Sequence, residues 1–205
     1  MEGNKNKILL TVIGAGTLLV ALAGATFAYF SATGTTTKQT VTTAVLDLKI
    51  EADTTTNHIT NIKPTSWDND MTKNLENEDI AKVSFKVLSG STTTGTYNID
   101  MTAPGLALKT KGTDALGNEI NLIGGSLADV KYKVYEYDGS SYTPLNVEGT
   151  LEEPEVAKAI ITGREIAEEE RFVIFVYIEN KDDDQNQLQG LDFKISVTGS
   201  AEQDL

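Results

Sequence analysis

The 205-residue chain contains no cysteine. Without thiols it can form no disulfide bond, and it has no thiolate nucleophile and no soft sulfur ligand for a metal. Small exported modules that depend on a disulfide framework are therefore excluded. The fold must be stabilised by core packing, and the hydrophobic content of 40% is high enough for a globular domain.

Histidine is nearly absent as well, since His58 is the single one in the chain. An HExxH zinc helix needs two histidines, and a serine triad would need His58 as its general base. His58 ends a polar stretch that contains no acid or nucleophile in motif form. The carboxylates show no spacing typical of an acid–base pair. The sequence therefore predicts a surface histidine, no cofactor and no enzymatic activity.

Positive charge is scarce: the chain has 17 basic and 30 acidic residues, a formal net charge of −13. The first 28 residues carry only Glu2, Lys5 and Lys7, so the remainder carries −14. Such a surface repels nucleic-acid phosphates and anionic lipids, which excludes nucleic acid as a partner. It is compatible with an extracellular surface or with divalent cations.

The N-terminus has the pattern of an export signal. Lys5 and Lys7 precede an uncharged, mainly apolar run of 23 residues, 8–30. A positive start followed by an apolar stretch is typical of a secretory signal peptide. The same run is long enough to cross a bilayer as a helix. Residues 1–28 are therefore predicted to be either a cleaved signal peptide or a permanent membrane anchor.

Two cleavage points fit small-residue rules for signal peptides. The first lies between Ala28 and Tyr29, and the alternative lies between Ala25 and Thr26, after an A-x-A site. Cleavage by a signal peptidase would release a secreted protein. Without cleavage, residues 8–30 would hold the protein at the cell surface as a single-pass membrane protein, with the lysines inside.

Residues 29–43 form a threonine-rich stretch in which Val41 is the one strong apolar residue after Phe30. Threonine favours extended chain, and so small a set of apolar residues cannot bury itself. We expect an extended arm or a flexible stalk here, followed by one domain over residues 44–205.

The domain is predicted to be all-β, an antiparallel sandwich resembling a jelly roll, because short alternating segments are separated by turn signals. Residues 172–178 are almost wholly apolar, which is typical of a strand buried on both faces. Asp138-Gly139 predicts a hairpin over 131–145. A short helix is expected near 152–160, opened by Pro154, and a turn near 164–170. The remaining strands are predicted over residues 44–51, 80–88, 96–101, 130–137 and 191–197.

Three segments resemble the TasA/CalY (camelysin) family of bacterial cell-surface and biofilm-matrix proteins with a SipW-type signal peptide. They are the junction Ala-Thr-Phe-Ala-Tyr-Phe-Ser at 25–31, Val-Leu-Asp-Leu at 45–48, and Asn-Ile-Lys-Pro at 61–64. The resemblance covers roughly residues 8–64. The chain departs from the family pattern at Ala32 and at Thr65-Ser66, and its C-terminal half does not resemble TasA.

The resemblance implies a secreted, non-catalytic structural protein that polymerises with itself. The mature N-terminal arm would complete the sheet of a neighbouring subunit, in a filament built by strand addition. In this sequence the arm residues that would carry assembly are Tyr29, Phe30 and Val41. The alternative is a monomeric, membrane-anchored surface module that binds a ligand through its polar loops.

One loop offers ligands for calcium. Residues 179–186 lie between two predicted strands and contain Asp182, Asp183 and Asp184. Carboxylate oxygens are the ligands that Ca²⁺ prefers, although the glycine and closing glutamate of an EF-hand are missing. The alternative is that these aspartates simply keep the loop solvated and the sheet edges from aggregating.

Overall fold

The computed structural model describes residues 28–32, 39–42, 47–52, 57–90, 94–181 and 183–203, with side chains between Lys49 and Glu202. One short helix, α1, spans Met71–Glu76 within these ranges. The strands are β1 Ala28–Ala32, β2 Gln39–Thr42, β3 Asp47–Ala52, β4 His58–Thr60, β5 Pro64–Thr65, β6 Ala81–Ser89, β7 Gly95–Thr102, β8 Lys111–Thr113, β9 Glu119–Asn121, β10 Val130–Tyr137, β11 Tyr142–Thr150, β12 Lys158–Glu165, β13 Glu169–Glu179, β14 Asp192–Lys194 and β15 Ser196–Gln203.

Two sheets form a sandwich. The first has the strand order β1-β15-β7-β12, and the second has the order β11-β10-β13-β6-β3-β2, with β5 added in parallel to one end of β13. All neighbours along these two paths are antiparallel. The pairs β4–β14 and β8–β9 stand apart from both sheets. The expected antiparallel β-sandwich is confirmed.

The main core lies between the sheets. Strand β7 alternates strictly between buried and half-buried residues, and its Tyr97, Ile99 and Met101 are fully buried. They belong to one cluster with Phe85 of β6 and Ile174 of β13, on the facing sheet. Alternation with a period of two therefore places every second side chain in the core, as the sequence pattern predicts.

Strand β13 is buried on both faces, which explains its almost continuous apolar sequence. Phe172, Ile174 and Val176 face the main core, whereas Val173 and Phe175 face a second cluster on the outer side of the sheet. The segment that contains α1 covers this outer cluster through partly buried side chains. The prediction of a fully buried strand over 172–178 is confirmed. The outer cluster is covered by Trp67, Met71 and Leu75.

The hairpin prediction is confirmed. Gly139 adopts a positive φ of +98° at the turn, and the Asp138 side chain accepts hydrogen bonds from the Ser140 and Ser141 amides. The pairing of β10 with β11 shifts between Val134 and Tyr135. This bulge explains why the alternation in the sequence is irregular there.

One prediction of local structure is wrong. The helix expected near 152–160 is a turn, in which the Val156 amide bonds the Glu153 carbonyl, followed by strand β12. Ile160 and Ile161 are both buried in β12 because the register with β7 shifts between Ala159 and Ile161. Two consecutive buried residues at a bulge give a sequence pattern of apolar residues that is also typical of a helix.

The strand predicted over 191–197 is divided between two sheets. Strand β14 pairs with β4, whereas β15 pairs with β7 and β1. Ile195 lies between them, and its amide donates to the carbonyl of Asn57. Helix α1 was not predicted from the sequence. Asp70 caps its N-terminus, because the Asp70 carboxylate accepts from the Thr72 amide.

The predicted signal or anchor segment lies outside the described residues except for its end at Ala28, and so do the alternative cleavage residues Ala25 and Thr26. Of the predicted arm, residues 33–38 and 43 also lie outside the described residues. No helix among the described residues is both long and apolar enough to cross a membrane.

Candidate functional site

The N-terminal arm occupies the edges of both sheets. Strand β1 is the last strand of the first sheet, and β2 is the last strand of the second. Each therefore has one hydrogen-bonded neighbour and one edge without a neighbouring strand in the described structure. An edge strand of this kind is the element most easily exchanged between chains, because only one ladder of backbone hydrogen bonds must be broken.

Strand β1 pairs with β15 of its own chain along its full length. The antiparallel register runs from Ala28 opposite Ala201 to Ala32 opposite Val197. Tyr29, the first residue after the predicted cleavage point, lies opposite Ser200. The chain's N-terminal segment and its C-terminal strand thus form one ladder.

Phe30 lies opposite Gly199, where two side chains approach the backbone closely. A Cβ atom at Gly199 would come within 2.4 Å of Cδ1 of Ile50 and 2.9 Å of Cδ1 of Ile99. A larger residue would force these side chains to shift, because Ile50 reaches from the opposite sheet against the backbone of β15. Sequence analysis did not single out Gly199, although a glycine inside an alternating strand is a signal of close approach.

The second arm segment, β2, pairs with β3 from Gln39 opposite Ile50 to Thr42 opposite Asp47. Val41 lies opposite Leu48 in this register. Tyr29 and Phe30 therefore belong to one sheet edge, and Val41 belongs to the edge of the other sheet. Strands β1 and β2 are also in contact with each other, so the arm closes one side of the sandwich.

The acidic loop after β13 is held by the protein's own groups. Gln185 is buried, accepts from the Lys181 amide, and donates to the carbonyl of Glu179 and to Oδ2 of Asp129. Lys181 forms an ion pair with the buried Asp129. Burial alone would raise the pKa of Asp129, but hydrogen bonds from Lys181 and from the Ser126 amide outweigh it and keep the pKa below its usual value.

Two of the three calcium candidates lie in the described part of this loop. Asp183 and Asp184 are exposed, and Oδ1 of Asp184 accepts from the Asn186 amide. Asp182 lies outside the described residues. Calcium binding by Asp182, Asp183 and Asp184 therefore stays a prediction.

His58 lies on β4 and contacts the carboxylate of Asp192 on the neighbouring strand β14. Both side chains are exposed to solvent. Within the described ranges, no three or more histidine, aspartate or glutamate side chains are grouped so that they could hold a metal ion. The described donor set therefore does not fit a catalytic zinc centre, which needs three protein ligands around one point.

One family model matches the chain, and its description is camelysin metallo-endopeptidase. The match covers residues 4–115, more than half of the chain, and extends beyond the segments at 8–64 on which the resemblance was based. No curated protein matches the chain. The matched region includes the apolar N-terminal run, the arm and the strands through β8. The chain therefore belongs to the camelysin metallo-endopeptidase family.

Proposed function

We propose that this protein is a secreted, non-catalytic structural subunit of a bacterial cell surface or biofilm matrix, and that it assembles into filaments by donating β1 to a neighbouring copy. In the assembled form, β1 of one subunit lies on the β15 edge of the next. The observation that carries the proposal is the position of β1, which is an N-terminal edge strand with a single pairing partner.

Strand exchange keeps the ladder that the mature arm can form. A neighbour's β1 can adopt the same antiparallel register on β15, from Tyr29 opposite Ser200 to Ala32 opposite Val197. Backbone hydrogen bonds then supply affinity, and Gly199 is the acceptor-strand position where a Cβ would collide with Ile50. The exchange costs no native contact, and one strand per subunit generates an open, head-to-tail polymer.

A structural role also fits the small number of potentially catalytic side chains in this protein. The family description names a metallo-endopeptidase, but this chain has one histidine and no cysteine. In the described structure that histidine is paired with Asp192 at the surface. We therefore assign no peptidase chemistry to this member of the family.

Export precedes assembly in this proposal. Family membership supports a secreted or cell-surface location, and cleavage between Ala28 and Tyr29 leaves the arm as the new N-terminus. Mass spectrometry of protein from its native host determines the cut. A mature chain that starts near Tyr29 supports a released subunit, whereas an intact apolar run points to the anchored, monomeric binding module.

Removal of the arm tests the assembly mechanism. Mature protein without residues 29–43 should form no filaments in electron micrographs, and its exposed β15 edge should bind a synthetic peptide of residues 29–43. A peptide of the same composition in scrambled order is the control. Filaments of normal length from the truncated protein would contradict assembly through the arm.

A further inference from the structure

A cleft opens on the outer face of the second sheet, where β10 and β11 separate. Val134 pairs with Val147, but the next residue, Tyr135, pairs with Pro144, so Leu145 and Asn146 are extra residues in β11. Asn146 has a φ of +57°, in the left-handed region that glycine and asparagine adopt more readily than other residues. Bulges of this kind are over-represented next to active sites.

The cleft has a volume of about 210 Å³, and polar side chains surround it. Lys133 and Glu148 face each other across the two strands and form an ion pair. Asn146 is exposed, and its amide can donate and accept at the same time. The lining residues include Lys133, Tyr135, Pro144, Asn146, Val147 and Glu148.

One aromatic ring, that of Tyr135, lines the cleft, and a second ring, that of Trp67, packs against it. Trp67 stacks on Tyr135 with 6.0 Å between ring centroids and an angle of 28° between ring planes. The Lys133 ammonium lies 5.6 Å from the centroid of the Trp67 ring. Both rings are only partly buried. Two nearly parallel aromatic rings thus adjoin a group of hydrogen-bonding side chains.

This combination selects a class of ligand. The charges of Lys133 and Glu148 cancel, so the cleft offers no net attraction to an anion or a cation. A hydroxyl group can accept from the lysine and donate to the carboxylate, which a purely anionic or cationic group cannot do. The flat, apolar face of a sugar ring packs on aromatic rings, while its hydroxyls require polar partners around them.

We propose that the cleft at the β10–β11 bulge binds a neutral oligosaccharide, with one sugar ring against Tyr135 and its hydroxyls bonded by Lys133, Asn146 and Glu148. A β-strand of another protein does not fit this edge, because Pro144 lacks an amide hydrogen and the bulge interrupts the ladder. The site is separate from the β15 edge, and it requires no filament.

Trp67 makes the proposal directly measurable, since it is the only tryptophan of the chain. Its fluorescence is titrated in the full mature protein with neutral tetrasaccharides of glucose, mannose, galactose and N-acetylglucosamine, and with tetragalacturonate as an acidic probe. We expect a saturable change with at least one neutral probe, at a Kd tighter than about 1 mM.

Two variants separate binding from folding. Glu148→Gln and Asn146→Gly alter exposed cleft residues outside both hydrophobic clusters, and glycine keeps the left-handed conformation of residue 146. Each should weaken binding at least about tenfold, because Asn146→Gly removes a hydrogen bond to the sugar and Glu148→Gln replaces a charged acceptor with a weaker, neutral one. Glu119→Gln is the matched control, since Glu119 forms a cross-strand ion pair with Lys111 on the separate β8–β9 hairpin.

The titrations of the three variants distinguish a binding site from its absence. Saturable binding of a neutral probe that both cleft variants weaken, with Glu119→Gln unchanged, supports the site. No fluorescence change with any neutral probe, a preference for tetragalacturonate, or binding that is equal in all variants would overturn it.

Discussion

The hydroxyl of Tyr97 donates a 2.6 Å hydrogen bond to Oε2 of Glu170 and thereby joins the two sheets of the sandwich. Tyr97 is fully buried on β7, and the carboxylate on β13 is also bonded by Arg164 of β12. Arg164 reaches a second carboxylate of the facing sheet, that of Glu136 on β10. The four side chains form one polar bridge at the border of the main core.

The bridge should contribute measurably to stability. Tyr97→Phe removes one hydrogen bond to a charged group and should lower the free energy of unfolding by about 2 kcal/mol. Arg164→Met leaves Glu170, whose side chain is only 10% exposed, without its cation, and should cost about 3 kcal/mol. Urea denaturation measures both. Lys111→Met, which breaks an exposed ion pair, is the control and should have no measurable effect.

Alkaline pH should destabilise the protein through its buried tyrosines. Burial and the hydrogen bond to Glu170 raise the pKa of Tyr97 above its ordinary value of 10, and burial together with Glu179 raises the pKa of Tyr177 to about 12. Above about pH 10 the unfolded chain loses phenol protons that the folded chain retains, so stability falls as pH rises.

The slope should reach about 1.4 kcal/mol per pH unit for each such tyrosine, between pH 10 and the folded-state pKa. Unfolding free energies at successive pH values give this slope. In Tyr97→Phe this slope should be smaller by about 1.4 kcal/mol per pH unit, the contribution of one tyrosine. An unchanged slope in that variant would show that Tyr97 titrates normally in the folded protein.

The inter-sheet contact at Gly199 gives a steric prediction. Gly199→Ala places a methyl group against Cδ1 of Ile50 and should destabilise the domain by about 1–3 kcal/mol. Ile50→Val removes that Cδ1 atom, so the double variant should recover part of the loss. Thermal unfolding of the four proteins in this cycle measures the coupling. Strictly additive losses would mean that the two residues do not collide.

The Asp129–Lys181 pair should make the loop after β13 sensitive to acid. Because the pKa of Asp129 is lowered in the folded protein, its contribution is present above the ordinary value of 3.8 and is lost as pH falls through the folded-state value. Asp129→Asn should therefore accelerate amide hydrogen exchange at Lys181 and Leu188 at neutral pH. Asp183→Asn, a change at an exposed site, should leave it unaltered.

Much of the fold was predictable because burial alternates along most strands. The alternation of β7 and the continuous apolar sequence of β13 follow directly from burial of one face and of two faces. The sequence pattern is ambiguous where the register shifts. Bulges place Ile160 and Ile161 side by side in the core, and this pattern is also typical of a helix.

The sites were less predictable, because they depend on long-range pairing. Nothing local shows that Phe30 lies opposite Gly199, since 169 positions separate them in the chain. The cleft beside Trp67 requires a segment before α1 to lie over two strands that come much later in sequence. The family resemblance implies that Phe30 and Val41 act together in assembly, but only the structure assigns Val41 to a different sheet edge from Phe30.

Disulfide trapping tests the donor-strand mechanism most directly, because the natural chain has no cysteine and every disulfide then reports an engineered pair. Tyr29→Cys combined with Ser200→Cys joins two directly opposed positions, about 5 Å apart between Cα atoms. Tyr29→Cys with Thr198→Cys is offset by two residues and controls for register, and each single variant controls for random dimers.

Mature protein is oxidised under conditions of assembly and separated on a non-reducing gel. Donation of β1 to a neighbour predicts a ladder of covalent oligomers that a reductant dissolves, strong in the opposed pair and weak in the offset pair. Covalently closed monomers alone, in a sample that contains filaments, would contradict the account.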